Sequence, residues 1–249
     1  MAPSVQERAL EEHREALEFV DRLQAGEFDL VVCMTGAGLA FLRDLALTAS
    51  VIERLAAGLR SATIVSRGPK PLAILRELGA KADIVVPEPN TWKEVVQAVA
   101  ARSERRIAVQ EYGRPNPEMT AALEALDARV TPFAIYRWDL PENLGPLREA
   151  ARRLAARDVD VVLFTSSIQL DHLLRIAAEQ GIETGVRTSL AQHAVLASVG
   201  PIMTASLEAA GLAVDIVPMH PKMAALVKAA AEVAAGALVR KRAAQPLSR

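Results

Sequence analysis

The chain repeats itself. The stretch SRGPKPLAILRELGAKADIVVPEP, which begins at Ser66, returns as SVGPIMTASLEAAGLAVDIVPMHP from Ser198. Laid together without gaps, Ser66, Gly68, Pro69, Ala73, Leu75, Gly79, Asp83, Ile84 and Val85 meet Ser198, Gly200, Pro201, Ala205, Leu207, Gly211, Asp215, Ile216 and Val217 at a constant offset of 132. Upstream, FDLVVCMTG is matched by VDVVLFTSS, with Asp29 and Asp160 opening the two runs at an offset of 131, so a loop absorbs one residue. Matches that keep their order over such a length point to duplication. The 249 residues therefore divide into two similar lobes, in keeping with a prior of about 150 residues per domain.

Within each copy the period alternates. Short apolar runs (29–34, 62–66, 83–87, 106–111 and 129–136 in the first copy, 160–165, 194–199 and 214–218 in the second) read as buried strands, and single helices separate them. The opening segment SVQERALEEHREALEFVDRLQAG has helical spacing at Val5, Ala9, Ala16, Phe19, Val20 and Leu23 and reads as a charged helix, not a leader. Strand and helix in alternation predict right-handed crossovers and parallel sheets. The expected division is a first α/β lobe over 1–132, a hinge over 133–142 and a second lobe over 143–249. The second lobe has three strands against five, which leaves VDVVLFTS with an open apolar edge.

Composition narrows the function. Aromatics make up 4% of the chain, so Ala, Leu and Val must fill the core. A net charge of −1 gives no reason to expect nucleic acid or an anionic membrane as partner. The lone Cys33 forbids an internal disulfide and fits a reducing, cytoplasmic setting. The Ala/Val-rich tract 223–239 is broken by Lys228 and Glu232 and reads as a packed helix. His13, His172, His193 and His220 lack metal-ligand spacing, and no GxSxG elbow occurs. Arg240, Lys241 and Arg242 close the last helix, where its dipole alone suits them and no partner is required.

The strand ends carry the candidate chemistry, because ligands of open α/β sheets bind at the carboxyl ends of the strands. Thr35 and Gly36 follow the first strand of one copy, and Thr165, Ser166 and Ser167 follow that of the other. Their hydroxyls and helix-start amides suit carboxylates, and simple N-capping suits them equally. Gly68–Pro69 and Gly200–Pro201 begin helices whose free amides, from Lys70 and Ile202 on, can hold an anion. Tyr112 and Gly113 end the fourth strand. Arg67, Lys70, Arg114 and Arg137 together attract acidic ligands, though each alone reads as a solvated charge. PFAIYRW places Phe133, Tyr136 and Trp138 at the hinge.

In their order and spacing, FDLVVCMTGAGLAFL, RGPKPLAILRELG, VQEYGRP, VTPFAIYRW, VDVVLFTSSIQLDHLL and VGPIMTASLEAAG resemble uroporphyrinogen-III synthase over nearly the whole chain. The resemblance implies two flavodoxin-like parallel-sheet lobes joined by an extended two-stranded hinge, with the active site in the cleft between the lobes. It implies a lyase of tetrapyrrole (heme) biosynthesis that closes linear hydroxymethylbilane to uroporphyrinogen III, inverting ring D with loss of water and using no metal or organic cofactor. Tyr136 then takes the place of the tyrosine proposed to protonate the leaving hydroxyl. Thr35, Gly36, Gly68, Lys70, Tyr112, Gly113, Thr165, Ser166, Ser167, Gly200 and Thr204 take places where the polycarboxylate is held. The expected protein is a cytoplasmic monomer with a small-molecule substrate and neither nucleic acid nor membrane as partner. Two departures stand out. Pro71 and Met203 replace a threonine the family often has, with Thr204 one place later, and the second lobe lacks the family's opening strand–helix–strand together with one half of the hinge ladder. These departures keep a second expectation open, a catalytically silent relative that binds a tetrapyrrole precursor or regulates.

Overall fold

The computed structural model of the protein describes residues 2–243. One compact unit spans Glu7–Asp139; the chain before it, up to Gln6, and after it, from Leu140 on, forms the other.

The Glu7–Asp139 unit holds a five-stranded parallel sheet of β2 (Leu30–Cys33), β3 (Thr63–Ser66), β4 (Ile84–Val85), β5 (Arg106–Gln110) and β6 (Arg129–Phe133), in the order β4-β3-β2-β5-β6. The alternation of side chains along β2 assigns its two faces. Val31 and Cys33 pack with Phe19 and Leu23 of α1 (Arg14–Gln24), Leu39 and Leu42 of α2 (Gly36–Thr48), Leu55 and Leu59 of α3 (Ile52–Ser61) and Leu75 of α4 (Lys70–Glu77). Leu30 and Val32 pack with Val95 and Val99 of α5 (Trp92–Ala100) and Met119 and Leu123 of α6 (Pro117–Glu124). A run of four fully buried strand residues is what a sheet covered on both faces requires.

The other unit contains α7 (Gly145–Ala155), β8 (Val161–Phe164), α8 (Ser167–Glu179), α9 (Glu183–Gln192), β9 (Val195–Ser198), α10 (Pro201–Ala209) and α11 (Met223–Ala243). β8 and β9 run parallel, and a parallel bridge from Ala197 to Ile216 extends the sheet. Among the described residues no strand joins the far edge of β8. There Ala2, Ser4, Leu154, Val162, Phe164 and Leu173 line a hollow of 330 Å3, and the Ser4 carbonyl lies 2.5 Å from Nδ1 of buried His172. The chain's own opening residues therefore lie along the edge that the strand count leaves bare.

The duplication is written in hydrogen bonds. The Ile64 amide donates to Asp83 Oδ2 at 2.7 Å, and the Leu196 amide donates to Asp215 Oδ2 at 2.7 Å. Ser66 and Ser198 each donate their hydroxyl to the carbonyl of the glycine two residues on. The helix pairs correspond too: α2 and α3 recur as α8 and α9 at an offset of 131, and β3 recurs as β9 at 132. The extra residue lies between helix and strand, where Ala62 faces His193 and Ala194.

Several expectations are corrected. Residues 6–9, expected to be helical, form β1 (Gln6–Ala9), which pairs with β7 (Tyr136–Asp139); Leu10 donates to the Ile135 carbonyl at 3.1 Å, and α1 begins only at Arg14. The half of the two-stranded ladder expected to be missing is therefore present. Of the strand expected at 214–218 only the bridge at Ile216 exists, because Pro218 has no N–H to continue the pairing. The basic end of α11 has partners after all: Lys241 Nζ lies 2.7 Å from Asp215, and Arg242 reaches Asp160 at 2.5 Å and His193 Nε2 at 2.8 Å. No helix among the described residues is long and apolar enough to cross a membrane.

Candidate functional site

In the Glu7–Asp139 unit, Cys33, Ser66 and Gln110 share one level across the sheet. The chain leaves β2 toward β3 on one side and returns to β5 on the other, so the connections diverge between β2 and β5, the place where open α/β sheets bind ligands. Thr35 follows β2 there. It caps α2 by accepting from the Gly38 amide at 3.0 Å, and its own amide donates to Gln110 Oε1 at 3.0 Å. Gln110 is fully buried, and its amide nitrogen donates to the Glu111 carbonyl. This one polar side chain ties together the ends of β2 and β5.

Tyr136 opens β7 with its ring 5.7 Å from that of Phe41 and its hydroxyl 3.2 Å from Thr35 Oγ1. It is 2% exposed. Burial pushes its pKa from 10.0 up to about 12; the Thr35 hydrogen bond and Arg67 pull the other way, while Glu7 and Tyr112 add to the rise. Tyr112, the chain's other tyrosine, is also raised, first by burial and against the pull of Arg67. The neutral phenol is the form the fold favours, so Tyr136 stabilises the native state below pH 10.0, and that contribution is lost as pH climbs toward about 12. Spectrophotometric titration should show Tyr136 still neutral in the native protein at pH 10, and Tyr136→Phe should remove a tyrosinate transition that lies above that pH. A full tyrosinate signal at pH 10 from folded protein would contradict this burial.

Beyond β5, Tyr112 meets Trp138 edge-on at 5.7 Å, and its hydroxyl accepts from Asn116 Nδ2 at 3.1 Å. Gly113 has φ +78°, and a Cβ there would sit 2.6 Å from the Trp138 ring. Arg67, leaving β3, lies over Tyr112 with Cζ 5.1 Å from the ring centre. Gly36 and Lys70 are neighbours, since a Cβ on Gly36 would lie 2.7 Å from the Lys70 carbonyl; Gly68 abuts Asn90. The structure thus gathers Thr35, Gly36, Gly68, Lys70, Tyr112, Gly113 and Tyr136 at one end of one sheet. It adds Gln110 and brings in Arg67 and Trp138 beside Tyr112. Gln110 was visible in the sequence only as a polar residue closing an apolar run.

In the other unit the expected residues are already engaged. Gln169 Oε1 accepts from the amides of Thr165 at 2.7 Å and Ser166 at 3.2 Å, and the Thr165 hydroxyl reaches the same oxygen at 3.3 Å. Ser167 is buried in the first turn of α8. The Thr204 hydroxyl lies 2.5 Å from that of buried Ser198, and the Thr204 amide donates to the Gly200 carbonyl at 2.9 Å. Gly200 packs on Pro221. Cys33 is a buried thiol whose pKa burial pushes up to about 12. The described residues contain no group of three or more His, Cys, Asp or Glu able to hold a metal ion.

The model of the family described as "Uroporphyrinogen-III synthase HemD" matches residues 1–228. The chain is 28% identical over 201 residues to "Uncharacterized protein YjjA" of Bacillus subtilis (strain 168), covering 80% of this chain and 74% of that one. It is 29% identical over 205 residues to a "Putative uroporphyrinogen-III synthase" of Methanothermobacter thermautotrophicus, covering 81% and 77%. Two crystal structures of uroporphyrinogen III synthase from Thermus thermophilus share the fold. A mutant form aligns with a TM-score of 0.68 at 22% identity over 94% of this chain and 88% of that one. The wild type aligns at 0.54 and 23% over 96% and 88%. The chain belongs to the uroporphyrinogen-III synthase family.

Proposed function

We propose that the protein converts hydroxymethylbilane to uroporphyrinogen III. The observation that carries this reading is the hydroxyl pair Thr35–Tyr136 at the strand end of the Glu7–Asp139 unit, where the sheet's connections diverge. The phenol is neutral at physiological pH and so holds a proton for a leaving hydroxyl. In the proposed step Tyr136 gives that proton to the substrate's hydroxymethyl oxygen, the C–O bond breaks, water departs and an azafulvene-like cation remains. Thr35 orients the phenol through their shared hydrogen bond. Gly36, Gly68, Lys70, Tyr112 and Gly113 of the same unit hold acetate and propionate groups and fix ring D for attack at its substituted carbon.

A second reading, a relative that binds the tetrapyrrole without turnover, draws support from the burial of Tyr136 and from the engaged amides and hydroxyls at Thr165, Ser166 and Thr204. The isomer composition of the product separates the two. Type III above the spontaneous type I background is expected. Type I alone, with calorimetric binding of uroporphyrinogen III, would favour the silent relative.

A further inference from the structure

Several arginines of the Glu7–Asp139 unit are paired with carboxylates, and Arg67 differs from these. Arg22 pairs with Glu27, Arg43 with Asp44 and Glu77, Arg54 with Asp21, Arg102 with Glu104, Arg106 with Asp29 and Arg137 with Asp139. Arg67 is half-buried and has no carboxylate partner among the described residues; the ring it lies over is that of Tyr112. A guanidinium drawn out of water without a counter-charge is costly, and such charges are ordinarily paired.

The surroundings hold it in place. Its amide donates to the Cys33 carbonyl at 3.0 Å, at the level where β2 and β3 end. Tyr112, over which it lies, is itself fixed by Asn116 and by the edge contact with Trp138. A guanidinium lying over a ring keeps N–H donors for further partners, and a carboxylate is the partner whose two oxygens match its fork.

We infer that Arg67, lying over Tyr112, selects the substrate by pairing through two N–H groups with one of its carboxylates. The inference rests on the proposed synthase reading for the molecule that carries the carboxylate. It is tested by binding, so the two stand or fall separately. The probe is uroporphyrin III, an octacarboxylate, titrated into the full chain and followed by quenching of tryptophan fluorescence. Arg67→Gln is expected to weaken binding about tenfold to a hundredfold, the loss typical of a hydrogen-bonded charge pair. Arg67→Lys keeps the charge and the aliphatic stem but not the fork, and is expected to recover only part of the affinity. Thermal unfolding confirms that each variant is folded, and Arg67→Lys carries the test alone if Arg67→Gln is not. In turnover the variants should raise KM more than they lower kcat. Wild-type affinity in both variants, or no binding by the wild type, overturns the inference. Production of type III with an unchanged KM in Arg67→Gln would overturn it while leaving the synthase reading intact. Loss of uroporphyrin affinity in a chain that yields only type I would leave Arg67 assigned and remove the synthase reading.

Discussion

Tyr136→Phe is expected to slow formation of the type III isomer about a hundredfold, at the lower end of what a positioned proton donor contributes. The substitution deletes one oxygen and nothing else. The ring keeps its place in the core beside Phe41, and Thr35 still accepts from the Gly38 amide, so α2 keeps its cap. Stability should fall by only about 1 kcal/mol, the net worth of one hydrogen bond, which unfolding curves will show. Because the phenol supplies a proton and not a binding surface, kcat should carry the loss and KM should stay near its original value. Paired measurement of rate and stability decides the matter. A normal rate in a folded variant removes Tyr136 from the chemistry, and a dead variant that is also unfolded is excluded by the stability control.

Gly113→Ala should destabilise the protein by about 2–5 kcal/mol, from two causes that act together. The residue holds φ +78°, where a side chain is strained whatever the space around it. The added methyl would also lie 2.6 Å from the fused bond of the Trp138 indole, a rigid ring that cannot swing a flexible end aside. Trp138 donates its amide to the Gly113 carbonyl at 3.1 Å, so pushing the ring away breaks a backbone link between the end of β5 and β7. Tyr112 would lose its edge contact, and the platform under Arg67 would loosen with it. Denaturant unfolding checks the energy, and near-ultraviolet circular dichroism checks the Tyr112–Trp138 contact. A variant as stable as the parent would mean that the loop relaxes freely and is not the rigid support described here.

The parts of the fold legible in the sequence are those where burial dictates composition. Leu30–Cys33 and Val195–Ser198 lie between two helical layers, so every residue is apolar or small and the runs announce themselves. β1 was hidden because Gln6–Ala9 is short and polar, and helix was its local preference until the chain at Tyr136–Asp139 supplied a ladder partner. α3 and α9, second helices between their strands, were not separated from the helices before them in the sequence, and only Val186, Ser189 and Leu190 of ETGVRTSLAQ are buried. The recurrence of α3 at an offset of 131 was the signal available for α9. At the site, hydroxyls and glycines at strand ends were readable from position alone. Gln110 was not, because a polar residue inside a core looks in sequence like an interruption, and Arg67 was readable only as one of several strand-end cations, not as one over Tyr112. The engagement of Thr165 and Ser166 by Gln169 was likewise invisible, since a helix cap and a ligand site use the same residue types.

The central claim is that this chain directs ring closure, and the measurement closest to it is the isomer ratio of the porphyrinogen formed from hydroxymethylbilane as protein concentration is raised. Spontaneous closure gives type I at a rate the protein does not alter. The proposed synthase should therefore drive the ratio steadily toward type III, and Tyr136→Phe should need about a hundredfold more protein to reach the same ratio. Type I alone at every concentration, from protein shown to be folded, would contradict the account.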